Sequence, residues 1–169
     1  KTTLTVLFSD IRGFTNIAEQ SDVQTLVNLL NDYFNQQVDI IFSEQGTLDK
    51  FIGDCIMAFW GAPQESTDHA VRAIQAALAM DLQLADFKKT LPDNLQHFDV
   101  GIGIHTGECL VGMIGAKRRL DYTVIGGQVN LAARLEALAK SGSILISYDT
   151  FSQVSDDISC TELSKVKVK

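Results

Sequence analysis

Residues 48–61, LDKFIGDCIMAFWG, constrain the fold more than any other segment. Two strand-like apolar runs, 47–52 and 55–60, flank Gly53-Asp54, a pair suited to a tight turn, so a β-hairpin is expected. An isolated hairpin is marginal in water and needs further strands or a covering helix. Lys50 and Asp54 interrupt the apolar pattern with opposite charges. Charges in such a setting are costly unless something pairs with them. Three readings of Lys50 stay open on sequence grounds: it pairs with Asp49, it pairs with Asp54, or it faces solvent.

The rest of the chain supplies the missing layers. TTLTVLFSD (2–10) is β-branched and apolar, a strand ending on Asp10. IRGFTNIAEQ turns through Gly13 into a short helix. Ser21 or Asp22 can cap a longer helix to about residue 44, with Val23, Leu26, Leu30, Tyr33, Phe34, Val38, Ile41 and Phe42 on one stripe and Gly46 ending it. Residues 66–91 read as a second long helix. Residues 98–107 and 109–115 read as two strands with a tight connection. AKRRLDYTVIGGQ reads as a mixed loop, 127–142 as a helix stopped by Gly142, and SILISYDTF as beginning with a strand. The tail TELSKVKVK alternates like a last strand cut short. This order predicts one α+β domain over residues 1–169, a ferredoxin-like antiparallel sheet covered by helices.

Composition narrows the function. The 169 residues are 46% hydrophobic and 21% charged, which excludes a disordered chain. A formal net charge of -7 argues against a nucleic-acid binder, so an anionic substrate needs local cations or metal ions. Cys55, Cys109 and Cys160 are odd in number and form no CxxC, which fits a reducing compartment and a cytoplasmic location. No apolar run is long enough to cross a bilayer, and no signal peptide is visible. The chain starts without Met and enters a strand almost at once, as expected of a module excised from a longer protein.

Asp10 and Asp54 are the first candidates for chemistry. Neighbouring strand ends can bring them together, and two close carboxylates repel unless one is protonated or a cation lies between them. Mg²⁺ and Mn²⁺ suit such a pair, together with substrate phosphates. The alternative is that Asp10 caps a helix and Asp54 is an ordinary turn residue. In DIRGFT the free amides of Gly13, Phe14 and Thr15 at a helix start suit a phosphate. Asn130 and Arg134 in VNLAAR fall at i and i+4 on one helix face. They are either surface polar groups or a ribose-positioning amide and a guanidinium aimed at a phosphoryl group. The basic AKRRL (116–120) reads as a solvated loop. His69, His97 and His105 have no ligand spacing, and Met57, Phe59 and Trp60 read as packing.

FSDIRGFT, GTLDKFIGD, VGIGIHTG, DYTVIGGQVNLAAR and the terminal KVKVK occur in one order, and together they resemble the catalytic domain of class III nucleotidyl cyclases. The resemblance covers nearly the whole chain. It implies conversion of a purine nucleoside triphosphate to its 3′,5′-cyclic monophosphate and pyrophosphate, in a homodimer with active sites at the interface. By resemblance, Asp10, Asp54 and the carbonyl of Ile11 hold two divalent metal ions, Lys50 and Thr123 read the base, Asn130 orients the ribose, Arg134 stabilises the transition state and Lys169 contacts phosphates. Thr123 stands where many adenylate cyclases carry aspartate. Its hydroxyl both accepts and donates. Lys50 only donates, which suits the adenine ring acceptor N1 and mismatches the protonated N1 of guanine. ATP is therefore expected over GTP. A guanylate cyclase and a catalytically silent cyclase-like dimerisation module are the alternatives.

Overall fold

Strand β1 (Thr2–Arg12) runs through the middle of the sheet, and its alternation sorts the core into two layers. The computed structural model describes residues 1–167. Leu7 and Ile11 face helices α2 (Val23–Ser43) and α3 (His69–Lys89), among Tyr33, Ile41, Ile74 and Met80. Leu4, Val6 and Phe8 face the opposite way, among Met57, Phe59, Val124 and Ala132. A strand buried on both faces reads as a near-continuous apolar run, which TTLTVLF is.

The sheet order is β2 (Thr47–Ile52), β3 (Cys55–Trp60), β1, β4 (Asp99–Ala116) and β5 (Arg119–Ile125), with every neighbouring pair antiparallel. Strand β6 (Ile144–Ile146) lies parallel to β4. Helix α1 (Phe14–Gln20) precedes α2, whose cap is Asp22: its carboxylate accepts from the Thr25 amide at 2.9 Å. Helices α4 (Gly127–Leu138) and α5 (Tyr148–Val154) complete the chain. The antiparallel, helix-covered α+β architecture is the one expected from the element order.

Several local expectations are corrected. Residues 99–116 form one strand, because β4 runs past the end of β1 at Cys109 and continues against β5 from Leu110. Gly107 and Gly112 give that stretch the look of a turn. The segment 119–125 is a full strand; its charged, exposed first half hides the pattern. Helix α3 starts at His69, not residue 66, and α4 ends at Leu138, because by Gly142 the backbone already bonds to Val100 of the sheet. The buried stripe of α2 is Leu29, Tyr33, Gln37 and Ile41, so Val23 and Phe42 stay exposed. Residues 158–167 contain no strand, and the last two residues, Lys169 included, lie outside the described residues. Helix α5, at 7 residues, is too short to show a period.

The VGIGIHTG motif has a packing explanation. Gly101, Gly103 and Gly107 lie on one face of β4. A Cβ on Gly103 would sit 2.1 Å from the Glu136 amide nitrogen and 2.7 Å from the Ala132 carbonyl, both backbone atoms of α4. On Gly101 it would meet the Arg12 guanidinium at 2.5 Å. Helix α4 therefore rests directly on the β4 backbone. Gly103→Ala is expected to destabilise the fold by about 1–3 kcal/mol, the usual cost of overpacking, read as a lower urea midpoint with unchanged slope. A wild-type midpoint would remove the proposed contact.

Candidate functional site

Asp10 is the tenth residue of the chain and the third-last of β1; Asp54 follows Gly53 in the β2–β3 turn, where Gly53 takes φ 62°. The antiparallel register Ser9↔Ile56 brings the strand ends that carry them side by side. Asp10 is half-buried, and its carboxyl is pushed up to about 6, first by burial, then by the charges of Asp54 and Glu136, with Arg12 opposing. Cys55 beside them is pushed up to about 12, first by burial and then by Asp10. Burial likewise raises the phenol of Tyr33, which lies under the same corner. Burial is the largest cause of all three shifts, and the neighbouring carboxylate charges add to it. Ile11 follows on the buried helical side, in register with Val100.

Among the described residues, no cluster of three or more His, Cys, Asp or Glu side chains encloses an ion by itself. Two carboxylates fit a Mg²⁺-type ion, which keeps waters and takes its remaining oxygens from substrate phosphates. Gly13, at φ 85°, starts α1, and no side chain caps the amides of Phe14 and Thr15 that follow.

Arg12 ties this corner to α4. Its guanidinium lies 3.4 Å from the Asp10 carboxylate and 2.6 Å from that of Glu136, and it donates to the Glu136 carbonyl at 2.6 Å. Arg12 and Glu136 were not singled out from the sequence. The arginine two residues after Asp10, on the same strand face, was the available signal.

Lys50 does not pair with Asp54. Its ammonium lies 3.6 Å from Asp49, whose side chain is fully buried. Asp49 accepts from the Thr123 hydroxyl at 2.6 Å and from the Val124 amide at 3.3 Å. The structure thus joins Lys50 and Thr123, 73 positions apart in the chain, through a residue the sequence offered only as a partner for Lys50. Asn130 and Arg134 are exposed on α4, whose other side buries Ala132 and Leu135. Among the described residues, no hydrogen bond or ion pair joins Asn130, Arg134 or Lys50 to Asp10 or Asp54. Of the three histidines, His69 and His105 are buried and His97 is exposed. Met57, Phe59 and Trp60 are core, and residues 116–120 are exposed.

The profile of the family described as "Adenylate and Guanylate cyclase catalytic domain" matches residues 1–169. Adenylate cyclase 1 of Rhizobium meliloti is 37% identical over 98% of this chain, which spans 25% of that relative's length. The solved adenylyl cyclase CyaB from P. aeruginosa is 40% identical, covers 98% of this chain and 87% of its own, and superposes with a TM-score of 0.93. The solved guanylyl cyclase Cya2 is also 40% identical, over 90% of this chain and 78% of its own, with a TM-score of 0.86.

The raised Asp10 predicts a pH dependence. A carboxyl whose folded pKa exceeds its unfolded value stabilises the fold below the unfolded value, and that contribution is lost as pH rises through the folded one. The window therefore runs from 3.8 to about 6. In chelator, the melting temperature of wild type is expected to fall relative to Asp10→Asn across that window. Added Mg²⁺ should raise it more at pH 7 than at about pH 4. Parallel pH profiles of the two proteins in chelator would contradict the assignment.

Proposed function

Because the chain belongs to the adenylate and guanylate cyclase catalytic-domain family, we propose that it converts ATP to 3′,5′-cyclic AMP and pyrophosphate. The ribose 3′-oxygen forms the new bond to the α-phosphorus as the bond to the β-phosphate oxygen breaks. Overall similarity does not choose the nucleotide, since an adenylyl and a guanylyl cyclase are equally identical to this chain. The choice rests on the joined pair Lys50 and Thr123. Lys50 offers a donor to adenine N1, and Thr123, whose proton goes to Asp49, offers an acceptor to the 6-amino group.

Asp10 and Asp54, with the Ile11 carbonyl, would hold two divalent ions, Mg²⁺ or Mn²⁺. Bound there, these ions supply positive charge that makes the 3′-hydroxyl more acidic and neutralises the leaving pyrophosphate. Gly13, Phe14 and Thr15 direct backbone amides toward the triphosphate. Asn130 holds the ribose so that its oxygen lies in line, an orientation effect. Arg134 meets charge that grows on the α-phosphoryl oxygens, so its contact strengthens in the transition state. The role of Lys169 on the phosphates is carried by resemblance alone.

The active unit is proposed to be a homodimer, each site combining Asp10 and Asp54 of one chain with Lys50, Thr123, Asn130 and Arg134 of the other. Asn130 and Arg134, exposed and without a side-chain partner among the described residues, support this, as do the exposed apolar Leu110, Met113, Leu120 and Ile125 on the β4–β5 ribbon. No helix among the described residues is long and apolar enough to cross a membrane. The three free thiols and the substrate fit a cytoplasmic setting.

Turnover of ATP and GTP, compared with Mg²⁺ and with Mn²⁺, tests the substrate. Cyclic AMP is expected as the main product, and a preference for GTP would reverse the base assignment. A second experiment tests the shared site. Asp10→Ala and Arg134→Ala should each lose at least about 100-fold in kcat, while mixing the two chains restores part of it. A verified heterodimer without activity would refute the division of residues.

A further inference from the structure

We propose that Asp49 is a positioning residue that sets nucleotide choice by fixing the direction of the Thr123 hydroxyl. The inference deepens the cyclase reading above and rests on it.

Asp49 occupies a break in the β2–β3 ladder. Leu48 pairs with Ala58 and Lys50 with Met57, so Asp49 is the extra residue of a β-bulge. A bulge re-aims a side chain that regular alternation would send elsewhere. Here it turns the Asp49 carboxylate, with 0% side-chain exposure, onto β5. One oxygen, Oδ2, accepts from both the Thr123 hydroxyl at 2.6 Å and the Val124 amide at 3.3 Å. The other, Oδ1, is buried, has no hydrogen-bond partner among the described residues and lies 3.6 Å from the Lys50 ammonium.

This arrangement removes an ambiguity of threonine. A free hydroxyl rotates to donate or accept as its partner requires, so on its own Thr123 would suit either purine. A carboxylate only accepts, so the hydroxyl proton is committed to Asp49 and the Thr123 oxygen is left as an acceptor. At a residue only 6% exposed, the lone pairs of that oxygen are what Thr123 keeps for a ligand, and they match the 6-amino donor of adenine. They oppose the 6-oxo acceptor of guanine, which would be desolvated without a partner at a cost well above the mean value of a hydrogen bond. The Val124 amide holds the accepting oxygen in place. It also dictates the behaviour of Asp49→Asn, whose carbonyl oxygen, and not its amide nitrogen, takes that position and keeps Thr123 in the same orientation.

The test is the ATP-to-GTP ratio of kcat/KM in wild type, Asp49→Ala, Asp49→Val, Asp49→Asn, Thr123→Val and the Asp49→Ala/Thr123→Val pair, with melting curves alongside. The ratio is expected to fall about fivefold to tenfold in Asp49→Ala and Asp49→Val, to stay within about twofold of wild type in Asp49→Asn, and not to fall further when Asp49→Ala is added to Thr123→Val. A folded Asp49→Ala with the wild-type ratio overturns the proposal, as does an equal fall in the Thr123→Val background. Failure of both apolar variants to fold assigns Asp49 to the scaffold and also overturns it. A wild-type protein that turns over neither nucleotide instead overturns the cyclase reading, an outcome distinct from the others.

Discussion

Helix α4 lies so close to β4 that no side chain fits between them at Gly103, and much of the molecule follows from that contact. The helix contributes to both halves of the proposed chemistry. Its inner side brings Glu136 to the Arg12 guanidinium, and through it to Asp10. Its outer side presents Asn130 and Arg134 to solvent. A side chain at Gly103 would lift the whole helix and shift both sets together. Farther along β4, His105 fills the gap between glycines and bonds to Gln128 in the first turn of α4, while its other ring nitrogen bonds to Ser147. Ser147 leads through Thr150, Thr106 and Thr5 to His69 at the start of α3. The helices on both faces are thus joined through the sheet by a chain of buried polar groups with named partners, the condition under which such groups are tolerated.

Electrostatics at the carboxylate corner run against the fold. An acidic chain places Asp10, Asp54 and Glu136 near one another and supplies one guanidinium among them. With burial as the larger cause and these charges adding to it, the site holds a proton more tightly than an isolated aspartate does. The repulsive part of that shift is relieved by a divalent cation as well as by a proton, and a cation answers two carboxylates at once where a proton answers one. Stability given up at neutral pH would be recovered on binding the metal and nucleotide proposed above. Arg12 serves as the fixed part of this balance: it is held by the carbonyl of Glu136 as well as its carboxylate, so it is not free to neutralise Asp10 fully.

The sequence made the sheet and the long helices legible, and the reasons it misled elsewhere are physical. Continuous apolar runs identified β1 and β3 because they are buried, and the Gly53-Asp54 turn between apolar segments identified the hairpin that β3 forms with β2. The pattern split β4 because glycines at 107 and 112, one needed to admit Gln128 and the other lying in open space, look like turn residues. It missed β5 because that strand rides over the sheet edge with Arg119, Leu120 and Asp121 exposed. Of the site, Asp10, Asp54, Asn130 and Arg134 were visible as single residues and as a spacing. The link from Arg12 to Glu136 and that from Asp49 to Thr123 were not, because each joins residues more than 70 positions apart, a distance over which no local pattern carries information.

The hairpin at 48–61 shows what separates a plausible ion pair from the one that forms. Lys50 and Asp54 stand four positions apart, a spacing that pairs charges on a helix but not on a strand. On regular strand alternation Lys50 would share a face with Ile52 and with Asp54. The turn at Gly53 reverses the chain first and carries Asp54 to β1 and Asp10. The bulge at Asp49 then supplies Lys50 with a carboxylate that is already bound to β5. Two backbone irregularities, a positive φ at Gly53 and one extra residue at position 49, therefore send two opposite charges to two different tasks. Asp54 is left beside Asp10, and Lys50 keeps an exposed ammonium beside a buried anion.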